Sequence, residues 1–225
     1  MSPWVPRVLL GVGAAAVITA VVSIAVGESG PGSSREIGGI NDVQRIYGGI
    51  EQDGAYLGPG DADVTVTFFN DIQCTVCATY QVETIDSLVE DYARTGEARL
   101  EYRHFSLAPN DATLAAIASE AAAEQDREWQ YLDLFARNQD LAVGDVTEEL
   151  LREIAEVVPE LEVEDWDEAF ADPAATDAVR EDAMLAAELE LTAEPAVVVS
   201  GPGGQRELLD TPTRTEIEAA IAAVF

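Results

Sequence analysis

The chain has 225 residues, of which 12 are basic and 43 acidic, for a formal charge of −31. Such a surface leaves no basic patch, which excludes a phosphate backbone or an anionic lipid surface as partner, so nucleic acid binding is ruled out. The length suffices for one domain with a sizeable core, and the charge suits a soluble domain in a salty exterior or one with basic clients.

The first predicted element is a membrane segment. Residues 8–26 are almost wholly apolar, with Arg7 before them and Glu28 after them. About 20 apolar residues are enough to cross a bilayer. Arg7 and the α-amine favour a cytoplasmic N-terminus, so the rest of the chain would lie outside. A cleaved signal peptide is the competing reading, since Ala25-Val26-Gly27 resembles a small-residue cleavage site. Residues 1–27 are therefore read as anchor or signal peptide. Residues 28–47, Gly- and Ser-rich at first, are read as a tether with some helix at its end. A folded domain is read from 48 to 225.

Within that domain, residues 50–57 pattern as a short hairpin with Asp53-Gly54 at the turn. Gly58-Pro59-Gly60-Asp61 is a break, and 64–69 alternate β-branched and aromatic residues as a strand does. Asn70-Asp71 ends that strand, and helical spacing then runs from 78 to 92 through Val82, Ile85, Leu88 and Val89. A second strand is predicted over 98–104, with Leu100, Tyr102 and His104 on one face. From 111 to 191 the chain is helical in character, in at least four segments. One of these begins at Thr147 and is stopped by Pro159. Residues 196–200 and 205–209 flank Gly201-Pro-Gly-Gly204 as a second hairpin, and Thr211 with Pro212 opens a last helix over 213–224.

The two cysteines, Cys74 and Cys77, stand as Cys-Thr-Val-Cys where the first strand turns into the helix. At that junction the first sulfur faces the open N–H groups of the helix's first turn, whose partial charges stabilise a thiolate. The second lies one turn inward, within bridging reach. Redox chemistry is the leading reading. A structural staple is the alternative, although so small a loop removes only about 2 kcal/mol of unfolded-state entropy. A zinc site would need four ligands, and two cysteines with the single His104 do not supply them, so no metal is assigned. His104 reads as a hydrogen-bonded core residue, and Trp129, Tyr131, Phe135 and Trp166 as core first.

Strand, C-x-x-C helix, strand, helical block, Pro-led strand, hairpin strand and helix make a thioredoxin fold of the α/β class with a helical insertion at about 111–172. Over residues 48–225 the chain resembles the DsbA-like thiol–disulfide oxidoreductases. Gly49-Ile-Glu-Gln-Asp-Gly-Ala-Tyr-Leu-Gly58 is similar to that family's G-x-x-Q-x-G-x-x-L-G lead-in. Val64-Thr-Val-Thr-Phe-Phe-Asn-Asp-Ile-Gln-Cys-Thr-Val-Cys77 is similar to its F-x-D-x-Q-C-P-x-C active-site strand. Glu194-Pro195 stands where the family carries a cis-proline loop facing the disulfide, and Arg103-His-Phe-Ser-Leu107 matches the strand end before the insert. The resemblance implies Cys74 and Cys77 as catalytic residues, with Glu194 and Pro195 binding an extended client. It implies no cofactor. Its partners would be exported proteins with cysteine thiols and a quinone-linked membrane thiol oxidase, and its address the cell membrane with the domain outside, or secreted after cleavage.

Three positions depart from the family. Thr75 replaces the proline usual between the cysteines, Phe68 takes the place of a buried acid, and Glu194 precedes the cis-proline where Thr or Val is usual. A helix N-terminus contributes up to ~2 kcal/mol toward an anion, which a nearby Glu would offset. Since ~1.4 kcal/mol corresponds to about 30 mV for a two-electron couple, these departures predict a milder oxidant than the most oxidising members. They also leave open a redox-inactive scaffold with a structural disulfide.

Overall fold

The computed structural model describes Met1 and residues 36–107, 114–142 and 146–224. Residues 8–26, read above as anchor or signal peptide, lie outside the described residues. Among the described residues no helix is long and apolar enough to cross a membrane.

Helix α1 (Ile40–Tyr47) falls inside the stretch read as a tether, yet Val43, Ile46 and Tyr47 are buried in the main core. The packed fold therefore extends N-terminal to residue 48. Strand β1 (Gln52–Asp53) and β2 (Tyr56–Leu57) form the predicted hairpin, with Gly54 at positive φ in its turn. They continue into β3 (Thr65–Asn70), β4 (Arg99–His104), β5 (Ala196–Ser200) and β6 (Arg206–Asp210) in one six-stranded sheet of order β1-β2-β4-β3-β5-β6.

Strand β3 is interior. It runs parallel to β4, with Asn70 opposite His104, and antiparallel to β5, with Phe69 opposite Ala196. The parallel pairing requires a crossover, supplied by the helix after the cysteines. That helix begins as α2 (Thr75–Tyr80), passes through π-type turns at Gln81–Ile85 and Val89–Ala93, and includes α3 (Asp86–Leu88) between them.

The period-2 pattern sorts the sheet into two faces. Val66, Phe68, Leu100, Tyr102, Val197 and Val199 point into the main core, together with Trp129 and the helical insert. Phe69, Ala196 and Val198 point to the other face, where Ala186 and Leu191 cover them. The insert comprises α4 (Leu114–Ala123), α5 (Glu128–Arg137), α6 (Glu148–Ala155) and α7 (Val163–Ala171), as the apolar periodicity predicts. Thr147 caps α6, its hydroxyl accepting the Leu150 N–H at 3.2 Å.

Helix α8 (Pro173–Glu188) is capped by Asp172 and starts on proline, a residue suited to that position. It ends three residues before the predicted 191. Glu190 adopts a left-handed φ of 54°, and the Leu191 and Glu190 amides bond back to Ala186 and Ala187. This two-bond closure terminates helices without needing a proline. Helix α9 (Arg214–Val224) then packs Ile217, Ala220, Ile221 and Val224 into the main core.

One buried network escaped the sequence reading. Asp86 accepts the Tyr47 hydroxyl at 2.7 Å and pairs with Arg137, which also holds Asp133 at 2.8 Å. Periodicity assigns acids to solvent, so only their place among apolar neighbours on the inward face of α3 and α5 gives them away. Burial, foremost, pushes Asp86 up to about 7 and Asp133 up to about 6.

Candidate active site

The end of β3 sets the position of the cysteines. Asp71 turns the chain: its carboxylate accepts the Gln73 amide at 2.8 Å and its carbonyl accepts the Cys74 amide at 3.1 Å. Cys74 is thereby delivered as the N-cap of α2 in an extended conformation, φ −76° and ψ 120°. Its sulfur accepts the Cys77 N–H at 3.4 Å, so an otherwise unpaired first-turn amide is aimed at the first sulfur. This is the geometry read from the junction of strand and helix. The two cysteines are unbridged, Cys74 half-buried and Cys77 buried with 2% exposure.

The difference in burial divides the pair chemically. Burial, foremost, pushes the Cys77 thiol well up, and the Cys74 sulfur and the Glu194 carboxylate add to that rise. The Asp71 backbone amide pulls the other way. The inner sulfur is thus held as a thiol, while the outer one meets solvent and an amide donor.

Glu194 and Pro195 arrive from the other side of β3. The Glu194–Pro195 peptide is cis. Ala196 pairs with Phe69, so Pro195 stands level with Asn70, at the strand end from which the redox turn departs. The Pro195 carbonyl accepts the Thr211 amide at 2.8 Å, anchoring the loop to the residue that follows β6. The Glu194 carboxylate accepts the Leu107 N–H at 2.8 Å and lies close enough to Cys77 to act on its thiol. All four residues picked from the sequence therefore meet at one end of the sheet. The flanking surface is apolar: Val76, between the cysteines, is 63% exposed and Leu107 51% exposed.

Phe68 is fully buried and meets Trp129 edge to face, with ring centres 6.5 Å apart. No carboxylate enters from that position. Behind Cys77 there is instead a small space of about 10 Å³, bounded by Asn70, Asp71, Gln81, Tyr102 and Leu132. That is about the room one water needs. The Asn70 Oδ1 beside it is buried without a hydrogen-bond partner among the described residues. Asn70 and Gln81 were missed in the sequence; their polar character at inward positions of β3 and the redox helix is the signal that marks them.

Comparisons with known proteins bear on the family and the fold. The protein-family model for Thioredoxin matches residues 51–221. A probable disulfide bond formation protein D from Bacillus anthracis is 32% identical over 149 residues, covering 64% of this chain and 69% of that protein. Its Bacillus cereus counterpart is 32% identical over the same length. Among solved structures, Wolbachia pipientis alpha-DsbA1 superposes with a TM-score of 0.62 at 20% identity, over 76% of this chain and 89% of that one. Oxidised BdbD from Bacillus subtilis does so with 0.61 at 20% identity, over 76% and 92%. Those two likenesses establish the fold. With a thioredoxin sheet, a C-x-x-C pair at a helix start and relatives of this kind, the chain belongs to the thioredoxin family, among its DsbA-like thiol–disulfide oxidoreductases.

Proposed function

We propose that the protein works outside the cytoplasm, forming or exchanging disulfides in exported proteins through Cys74 and Cys77. The observation that carries this reading is the asymmetry of the pair: a solvent-facing sulfur on an amide donor beside a buried thiol, facing the Glu194–Pro195 loop. The relatives' naming for disulfide bond formation, the apolar run at 8–26 and the C-x-x-C pair all favour an oxidising, extracytoplasmic setting.

In the oxidising direction a client thiolate attacks the Cys74 sulfur of the enzyme disulfide. The Cys74–Cys77 bond breaks and its electron pair leaves on Cys77. A second client thiolate attacks the client sulfur of the mixed disulfide and expels Cys74 as thiolate. Two electrons have moved from client to enzyme, and the client holds a disulfide. Cys77, buried, must regain a proton as it leaves, and the water-sized space beside Asn70 and Gln81 is the route assigned to it in place of a side-chain acid. Val76 and Leu107 form the apolar rim on which a client strand lies, with Pro195 and Glu194 pairing to its backbone. A quinone-linked membrane thiol oxidase would reoxidise the pair, and residues 1–27 would keep the domain at the membrane.

Trapping tests this. A Cys77→Ala variant keeps the attacking sulfur and lacks the resolving one, so it should accumulate mixed disulfides with exported proteins, released by dithiothreitol. A Cys74→Ala variant should accumulate none. Equal trapping by both variants, or none by either, would remove the assigned roles.

A further inference from the structure

The single histidine of the chain lies away from the sulfur chemistry described above, at the end of β4, and is 4% exposed. Its Nε2 faces two carboxylates of the insert: Glu128 Oε1 at 3.4 Å and Glu120 Oε1 at 3.6 Å, with the Ser119 hydroxyl at 3.0 Å. Glu128 is fully buried, and neither of its oxygens has a hydrogen-bond partner among the described residues. A buried carboxylate left in that state calls for an ion, a proton or a water to account for it. The three donor groups converge, with one ligand atom of each within 4.8 Å of the others.

We propose that His104, Glu120 and Glu128 form a three-ligand site for a divalent transition-metal cation of the zinc type. The donor spacing supports this. Zinc binds imidazole nitrogen and carboxylate oxygen at about 2.0–2.2 Å in tetrahedral geometry, which sets neighbouring donors about 3.3–3.6 Å apart. The two separations from Nε2, 3.4 and 3.6 Å, match that edge, and the two carboxylate oxygens lie within 4.8 Å of each other. Calcium and magnesium take oxygen donors, so the imidazole selects against them.

Charge favours a cation as well. Asp182 and Glu101 stand behind the cluster, and Arg103 bonds to both of them. Glu120, Glu128, Asp182 and Glu101 thus place four carboxyl groups around the imidazole against the one guanidinium of Arg103, so an entering cation meets more acids than bases. Burial holds Glu120 up at about 8 and Glu128 well above its ordinary range, so without an ion these acids take protons instead. The Glu120 side chain is 15% exposed and provides the way in from solvent. A water or the Ser119 hydroxyl, 3.0 Å from Nε2, would complete the ligand set. A bound ion would fasten α4 and the start of α5 to the end of β4, directly across from Asn70 and the redox turn.

The test uses the full chain carrying Cys74→Ser and Cys77→Ser, which removes the thiols as competing ligands, stripped with a chelator and titrated with zinc chloride alone. Because the chain has one histidine, a nitrogen-15 imidazole spectrum reports on this site and no other. One equivalent of zinc should move the His104 Nε2 resonance to saturation and raise the thermal midpoint. Glu128→Gln should weaken binding at least about tenfold. Should zinc bind only to surface acids, the imidazole resonance would stay in place, and the proposal fails. It fails equally if Glu128→Gln binds as tightly as its parent. Where Glu128→Gln does not fold, the imidazole spectrum of the parent decides alone.

Discussion

Replacing Glu194 by Gln isolates one charge beside the redox pair. The Gln carbonyl oxygen can still accept the Leu107 amide that Glu194 holds at 2.8 Å, so the loop keeps its anchor while the charge goes. The sign follows from the redox states. The disulfide is neutral, and the reduced pair gains charge only when a sulfur ionises, so a fixed carboxylate opposes the ionised reduced form and leaves the disulfide untouched. Glu194 therefore favours the disulfide, and its removal should make the pair more oxidising.

The magnitude is bracketed by two unit charges at 4 Å, about 1 kcal/mol in water and about 4 kcal/mol at an effective dielectric near 20. Glu194 is half-buried and is the last of the causes acting on Cys77, which places it at the low end. About 1 kcal/mol corresponds to about 20 mV for two electrons, or about a fivefold change in the equilibrium constant with glutathione. Equilibration in glutathione buffers, quenched with acid and read by alkylation, measures it directly. A potential in Glu194→Gln that stays put, or becomes more reducing, would refute the assignment of Glu194 as an opponent of the thiolate.

Two further outcomes follow from the buried groups and the redox turn. Arg137→Met leaves Asp86 and Asp133 buried without their shared cation, a loss of about 3–5 kcal/mol for a broken buried pair. Both acids titrate above their unfolded values, near 7 and 6, in a setting formed by Tyr47, Arg45 and Asp42 of α1 and Arg137 of α5. The folded form thus holds protons more tightly. The stability this gives is present below about pH 4 and is lost as pH rises through 6 to 7. Thermal melts should show a larger Arg137→Met penalty at pH 8 than at pH 5, and equal penalties at the two values would contradict the account. Thr75→Pro should be tolerated and stabilise by about 0.4–1 kcal/mol in denaturant titration. Thr75 is the first residue of α2, where proline fits, and Cys74 already has the extended conformation that a following proline demands. A loss of stability would mean that the turn differs from the one described.

How much of this was legible in the sequence depends on what kind of force fixes each feature. Local patterns carried the strands, the hairpins and the cysteine junction, because β-branched alternation and a helix cap act within a few residues. The start of α6 was readable from Thr147 for the same reason, whereas the helix ends at Ala155, ahead of Pro159. The end of α8 was not, since it rests on Glu190 adopting a conformation usually left to glycine. Nor did composition reveal that α1 belongs to the core: Val43 and Tyr47 are buried by α5, about ninety residues away. The carboxylates at 86, 128, 133 and 182 have the same obstacle. Each looks like an ordinary solvated acid until the partner that buries it is known. His104 was placed correctly as a core residue, but the acids facing it come from two helices whose docking no periodicity predicts.

The same distinction between local and long-range effects governs the chemistry at the first cysteine. A formal charge of −31 opposes any new anion at long range, but at physiological salt exposed charges are screened beyond about 8 Å. The contest is therefore decided by groups that touch the redox turn. On one side stands the Cys77 amide directed at the Cys74 sulfur. On the other stand Asp71 and Glu194, each held in place by a backbone amide, Gln73 for the first and Leu107 for the second. Those bonds fix both carboxylates in position, so their fields persist in every redox state. A helix start that favours an anion, set against immobilised acids that do not, should give a weaker oxidant than the same fold with a neutral residue before Pro195, which the potential of Glu194→Gln checks. Burial of Cys77 leaves the outer sulfur as the one of the pair nearer to solvent.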